Sequence, residues 1–399
     1  MFIFIFYFFA AIQIFFAYKS LRGGIDYLNY FKIELAKPKS NFTPFASIIV
    51  PCRGLDKNLS DNLKKLFEQN YENYEIIFVV DDENDEAVSV IKEVFRKGAK
   101  DARLIVAGKA SDTGQKVHNL RKAILEVADE SEVLVFVDSD AKPDKDWLKN
   151  LIAPLKDKKI GCATGYRWFV QKNGGFATHL RSVWNASIAS ALGKTSNNNF
   201  CWGGSTAIRR EVFEKLNVRE KWLGTLSDDF ALTNVLKKAE MPIYFVPKCV
   251  TATVEDCIFN ELLEFTTRQM KITRVYSPNH FKVSVIGSIL FTFTFWSGIV
   301  LLFFISGIHL WVVLIITGII FAFGVGKAWL RLNAVKLVLP EYKEELKNQF
   351  IPHILFWTIS PILFLYNDIM AVFSSRIVWR GIEYKLESAN KTVVKKNDG

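Results

Sequence analysis

Cysteine is scarce and unpatterned in this 399-residue chain: Cys52, Cys162, Cys201, Cys249 and Cys257 make an odd number with no CxxC pair. That excludes a disulfide framework and a zinc ribbon, and fits reduced packing residues. No Lys/Arg stripe interleaved with aromatics is present, and no nucleic-acid motif. The net charge of +10 therefore points to an anionic membrane surface rather than to nucleic acid. Gly193-Lys194-Thr195 looks like the end of a P-loop, but Ile188 stands where that motif requires glycine. The first apolar run, too, has no small-residue cleavage site after it, so a retained anchor is expected rather than a removed signal peptide.

What the chain has in abundance is apolar sequence, 50% of it, concentrated at the two ends. Residues 2–17 form one unbroken apolar run, giving an expected N-terminal transmembrane anchor over 1–18. A soluble α/β domain is expected over 40–280. Residues 281–375 read as a block of membrane helices: two spans within 283–330, turning at Ser306-Gly307-Ile308-His309, then a segment interrupted by Pro352, Ser360-Pro361 and Asn367-Asp368. A basic tail follows over 376–399. Lys19, Arg22, Lys32, Lys37 and Lys39 flank the first span, and such an excess marks the cytoplasmic side, so the central domain is expected to face the cytoplasm. A full third span would leave Arg376, Arg380, Lys385, Lys391, Lys395 and Lys396 outside, against that rule. The expectation is a re-entrant segment broken near Pro361.

Within the central domain, Val133–Lys142 (VLVFVDSDAK) is a buried strand running into Asp138-Ser139-Asp140. An earlier strand, Glu75–Val80, exits the same way into Asp81-Asp82. Strands at 46–50, 75–80, 102–108, 133–137 and 161–165 alternate with helical segments, which predicts a parallel, doubly wound sheet with both acidic exits on one edge. Ligands of such sheets bind beyond that edge. Asp82 would meet a uracil-type base or ribose, or else belong to a helix N-cap cluster over 81–85, and Asp138 with Asp140 would hold Mg2+ or Mn2+ against a diphosphate. Trp202-Gly203-Gly204 implies a close backbone approach. Leu226-Ser227-Asp228-Asp229 opens a helix, where the acids are caps or supply a general base. Arg268, Lys271 and Arg274 recur every three residues along one helix face, as a snorkelling interfacial helix or a clamp on a diphosphate.

With those residues in order, the chain resembles membrane glycosyltransferases of the family 2 type, with the Rossmann-like GT-A fold of nucleotide-diphospho-sugar transferases. The resemblance is greatest to the ceramide glucosyltransferase-like branch. That family's D, D, D, (Q/R)xxRW series maps onto Asp82, Asp138, Asp229 and Arg268-Gln269-Met270-Lys271-Ile272, with Lys for Arg and Ile for Trp. Gln115-Lys116-Val117-His118 looks like the segment whose lysine lies near the nucleotide, and Trp379-Arg380-Gly381-Ile382-Glu383-Tyr384 is similar as well. The resemblance implies an inverting hexosyltransferase that moves a sugar from a nucleotide donor, a UDP-sugar, to a lipid hydroxyl. Asp229 would be the base, Arg268 and Lys271 would aid catalysis, Asp82, Lys116, Asp138 and Arg274 would hold the donor, and Asp138 with Asp140 the metal. A processive polysaccharide synthase is the alternative within enzymes. An inactive membrane protein that binds nucleotide sugars or lipids is the alternative outside them.

Overall fold

The computed structural model describes residues 2–97 and 101–395. Met1 of the expected anchor and the last four residues of the expected basic tail, Lys396 included, lie outside the described residues. The chain divides into two compact units. One comprises residues 34–168, 191–253 and 375–399, and the other residues 1–33, 169–190 and 254–374.

The first unit is built on a seven-stranded sheet. Its strands are β1 (Ala46–Pro51), β2 (Tyr74–Val80), β3 (Ala102–Val106), β4 (Val133–Phe136), β5 (Cys162–Val170), β6 (Thr206–Arg209) and β7 (Ile243–Val254), in the order β3-β2-β1-β4-β6-β5-β7. Strands β2 and β4 are buried along their whole length, as continuous apolar runs covered on both faces should be. Helices Leu59–Phe67, Glu86–Lys97 and Gln115–Ala123 alternate with the early strands. In the first of them Leu59, Asn62, Leu63 and Leu66 are buried, the three-and-four spacing of a single inward stripe. Ile49, Ile77, Val117, Phe136, Trp222 and Leu236 belong to its core. This is the α/β GT-A class that the resemblance implies.

The sheet corrects the expectation of an all-parallel arrangement. β3, β2, β1 and β4 are parallel, but β6 runs antiparallel to both β4 and β5. Because an antiparallel strand starts at the edge where its neighbours end, the loop leading into β6, carrying Trp202-Gly203-Gly204, reaches that edge. The strand expected at 161–165 extends to Val170, and the twelve-residue β7, whose polar and apolar residues follow no simple alternation, was not expected. The described part of the tail is a three-stranded antiparallel sheet of β8 (Arg376–Trp379), β9 (Ile382–Ser388) and β10 (Lys391–Lys395).

The second unit is helical. Among the described residues, three helices are long and apolar enough to cross a membrane: Ile3–Ala36, Pro278–Leu301 and Gly307–Lys336. The first continues well past the apolar run at 2–17, so anchor and basic flank form one helix. Helices Phe350–Phe356 and Ser360–Phe373 are bent by 60° at the break just before Pro361. Trp184, on the Phe176–Ala189 helix, stacks on Phe364 at 5.1 Å and shares a core with Leu262, Met270 and Leu363.

Candidate active site

The site begins where β4 runs out. After Val137 the chain turns, with the Ala141 N–H donating to Asp138 O at 3.1 Å, and this puts two carboxylates on one tight loop. The middle residue is fastened on both sides. Ser139 Oγ donates to Asp56 Oδ2 at 2.5 Å, and its carbonyl accepts from Asn62 Nδ2 at 3.2 Å. Lys116, from the first turn of the Gln115–Ala123 helix, reaches Asp138 Oδ1 at 2.7 Å and Asp228 Oδ1 at 3.2 Å. Arg167, near the end of β5, straddles the acidic pair at 3.5 Å from Asp138 Oδ2 and 3.5 Å from Asp140 Oδ2. Its guanidinium lies 4.9 Å from the centre of the Trp202 ring.

The charges in this cluster are out of balance in an informative way. Burial works to raise the Asp138 carboxyl, but Lys116 and Arg167 overcome it and hold it below the ordinary carboxylate range. Asp140 goes the other way: burial, opposed by Arg167 and reinforced by Asp138, raises it to about 6. Asp228 is likewise raised to about 6, by burial against the pull of Lys116. Burial would lower Lys116, yet Asp138, Asp228 and Asp229 raise it above its ordinary value. A firmly ionised Asp138 therefore sits beside an Asp140 that shares Arg167 with it but has no lysine of its own.

The close approach foreseen at the paired glycines is real. A Cβ on Gly203 would stand 2.3 Å from Asp228 Oδ2 and 2.6 Å from Lys116 Nζ, and one on Gly204 would lie 2.2 Å from the Trp202 ring. Only glycine lets this backbone lie against the Lys116–Asp228 pair. Asp229, next along, accepts from its own helix: Phe230 N–H at 2.7 Å and the Ser227 hydroxyl, with Gly203 N–H at 3.5 Å from its Oδ2. Asp229 is half-buried, and its second oxygen faces the glycine loop.

Lys116, Asp138 and Asp140 are thus brought together, with Asp229 beside them, while Asp82 lies elsewhere on the sheet. Asp82 stands at the exit of β2, beyond β1 in the sheet. It accepts from Asn84 N–H at 3.0 Å and pairs with Lys109 at 3.7 Å, an Asx-type turn. It is its neighbour Asp81 that faces inward, paired with Arg53. Arg268, Lys271 and Arg274 belong to the helical unit, on the helix Phe259–Tyr276. Arg274 donates to Ala371 O at 2.5 Å and Val372 O at 3.1 Å, capping the last turn of the Ser360–Phe373 helix. Arg268 lies 5.6 Å from the centre of the Phe265 ring, burial lowers the Lys271 ammonium, and Ile272 is buried.

Asp56 and Arg167 were not foreseen in the cluster, and Trp202 and Asp228 were singled out without these contacts. For Arg167 a signal existed, since Tyr166-Arg167-Trp168 places a charge in a strand that is otherwise apolar. Asp228 was visible only as half of an acidic pair, and the rotation of one helical residue decides which acid meets the lysine.

A family model for glycosyl transferase family 21 matches residues 5–392. The chain belongs to this family, that of the ceramide glucosyltransferases. Ceramide glucosyltransferase 3 of Caenorhabditis elegans is 32% identical over 126 residues, 30% of this chain and 27% of the relative. Ceramide glucosyltransferase 1 of the same organism is 22% identical over 201 residues, covering 48% and 42%. The chain thus spans less than half the length of these curated relatives. Among solved structures, a mannosyltransferase of Pyrobaculum calidifontis in complex with GDP-Man and Mn2+ is 18% identical with a TM-score of 0.47, over 92% of this chain and 99% of that one. Family 21 membership accords with the branch to which the motif series pointed.

The residues at the β4 exit fit a divalent cation. Asp140 Oδ1 is buried with no hydrogen-bond partner, beside the ionised Asp138. Among the described residues no group of three or more His, Cys, Asp or Glu is placed to hold a metal. Two carboxylates with the rest of the shell left to water and phosphate suit Mg2+ or Mn2+, not a closed structural site.

Proposed function

We propose that this chain is a membrane-embedded glycosyltransferase that moves one hexose from a UDP-sugar to a lipid hydroxyl at the cytoplasmic face, with inversion. The observation that carries the reading is the β4 exit, where Asp138 is held ionised by Lys116 while Asp140 presents an unpartnered oxygen. Asp138 and Asp140 would hold the cation, which when bound offsets the charge that develops on the diphosphate. Lys116 fixes Asp138 and shares its charge with Asp228, so the acidic wall is neutral enough to admit an anionic donor. Arg167, lying over the Trp202 ring beside both carboxylates, would offer its guanidinium to phosphate oxygens. Asp229 takes the proton of the acceptor hydroxyl as that oxygen attacks the anomeric carbon. Asp82 borders the base and ribose. Arg268 and Lys271 would assist the leaving diphosphate, and Arg274, in this reading, chiefly holds its helix to the next. Inversion and the lipid acceptor follow from family resemblance.

The cytoplasmic orientation rests on the positive flank of the first helix. The tail sheet lies in the same compact unit as the catalytic sheet, with Gln115 N–H donating to Tyr384 Oη at 3.2 Å, which supports an even number of crossings between them. Two spans plus a re-entrant 350–373 segment satisfy this. Membranes carrying the chain, supplied with radiolabelled UDP-hexoses and analysed by mass spectrometry, are expected to yield a lipid with one added hexose, dependent on Mg2+ or Mn2+. Failure of every nucleotide sugar to label lipid would overturn the reading. A cysteine placed in the tail should resist an impermeant thiol reagent in intact cells, and labelling there would make the last segment a true span.

A further inference from the structure

The C-terminal sheet enters the acidic site through one residue. β8 and β9 are joined by the two-residue turn Arg380-Gly381, with Trp379 opposite Ile382 and both turn residues at positive φ (47° and 77°). Such turns favour Asn, Asp or Gly at the first position, and an arginine there is sterically costly, so an observed outlier calls for a reason. The side chain supplies one. Arg380 Nη2 donates to Asp56 Oδ1 at 2.7 Å, and Nη1 donates to the carbonyl of Arg53. Asp56 turns its other oxygen to Ser139 Oγ at 2.5 Å, and Ser139 lies between the two expected cation ligands. Burial works against the Arg380 charge, but Asp56, Asp140 and Asp138 raise it above its ordinary value. The sheet is seated at two further points. Tyr384 Oη accepts from Gln115 N–H, next to Lys116, and Gly224 has no room for a side chain because a Cβ would stand 2.2 Å from Asn390 O.

We infer that the C-terminal hairpin is a wall of the donor site and that Arg380 is a positioning residue, setting the Asp138-Ser139-Asp140 turn for the cation through Asp56 and Ser139. This rests on the donor-site reading above and adds to it residues some 240 positions downstream of the turn they orient (from Ser139 to Arg380). The relay carries charge-assisted hydrogen bonds at Arg380–Asp56 and Asp56–Ser139. Groups that orient a metal's ligands typically change metal affinity by about 10- to 100-fold when removed.

The test is Mn2+-dependent binding of UDP, and of GDP as a second probe, to the full chain in detergent or nanodiscs, followed by calorimetry across a range of Mn2+ concentrations. Arg380→Ala and Asp56→Asn are each expected to raise the Mn2+ needed for half-maximal nucleotide binding by about 10-fold or more. Affinity at saturating Mn2+ should change by less than about threefold, and the double variant should be no worse than the poorer single one, since both cut one relay. Arg380→Lys keeps one charge on Asp56 without the fork and should fall between. It also guards against a fold-disrupting Arg380→Ala, because Asp56→Asn leaves the turn untouched and Arg380→Lys keeps a long basic side chain there. Equal loss of nucleotide affinity at every Mn2+ concentration, additive effects in the double variant, or wild-type behaviour of Arg380→Ala would each overturn the inference while leaving the donor site standing. Absence of Mn2+-dependent binding of either nucleotide by the unaltered chain would overturn the donor-site reading and this inference with it.

Discussion

The two compact units deal with buried charge in different ways. In the sheet unit, carboxylates are crowded: Asp56, Asp138, Asp140 and Asp228 lie within one network and are held there by Lys116, Arg167 and Arg380. In the helical unit, several charges are spread out and answered locally. Arg181 pairs with Glu255 at 2.7 Å and donates to its carbonyl, Arg274 caps a helix, and Asp368 accepts from Ser284 and Ser288. Crowded like charges cost stability unless something offsets them, and a site that keeps them has a ligand to meet. Locally satisfied charges hold helices in register and leave little for chemistry. The contrast supports a reading in which the cation and donor are held at the sheet edge and the helices, Arg268 and Lys271 aside, serve mainly as support.

The largest expected effect tests that assignment at its catalytic end. Asp229→Asn should lower transfer by roughly two to four orders of magnitude with donor affinity retained, the usual worth of a positioned base. Joint loss of affinity and rate, read from kcat and KM for the sugar donor, would move Asp229 into the binding site. Gly203→Ala comes next. Its methyl must displace Asp228 or Lys116, so a loss of about 1–3 kcal/mol in stability, as for other overpacked sites, is expected together with weaker donor binding. Thermal unfolding and nucleotide titration on the same sample check both.

On the helical side the effects should be smaller. Lys271→Ala is expected to slow transfer about tenfold through a poorer leaving group, on the order of 1.4 kcal/mol. Ile272→Ala, at a buried apolar position, should cost about 2–5 kcal/mol of packing and little intrinsic rate. An unchanged rate in Lys271→Ala would remove the Phe259–Tyr276 helix from the reaction. Long incubation with excess donor should give one added hexose per lipid, since Ile272 offers no aromatic face to hold a growing sugar end. A ladder of sugars would favour a processive enzyme.

The pH dependence follows from the raised carboxyls. Asp140 and Asp228 are raised to about 6, and a cation needs Asp140 deprotonated. Mn2+-dependent nucleotide binding should therefore be full above about pH 7 and weaken as pH falls through 6. Asp138, held below the ordinary range, remains ionised through that window.

Much of this was legible in the residues. Apolar runs ending in acids gave β2, β4 and the edge they share, because continuous burial and abrupt polarity are local signals. The lysine at 116 and the glycines at 203 and 204 also announced themselves, through motif order and through the steric meaning of paired glycine. The antiparallel β6 and the long β7 were not legible, since strand direction depends on partners rather than on the strand's own residues. Arg167 was hidden because its partners are far away in sequence. Arg380 was visible only as part of a familiar-looking tail. Nothing near position 380 says that a hairpin will carry it to Asp56, and only the fold closes that distance.

The measurement that bears most directly on the sheet-edge assignment is Mn2+ binding in the presence of UDP, followed by electron paramagnetic resonance on the purified chain and on Asp140→Asn. The expected result is a bound Mn2+ signal that needs UDP and is lost in the variant. An identical signal in Asp140→Asn would contradict the placing of the cation and diphosphate at the β4 exit.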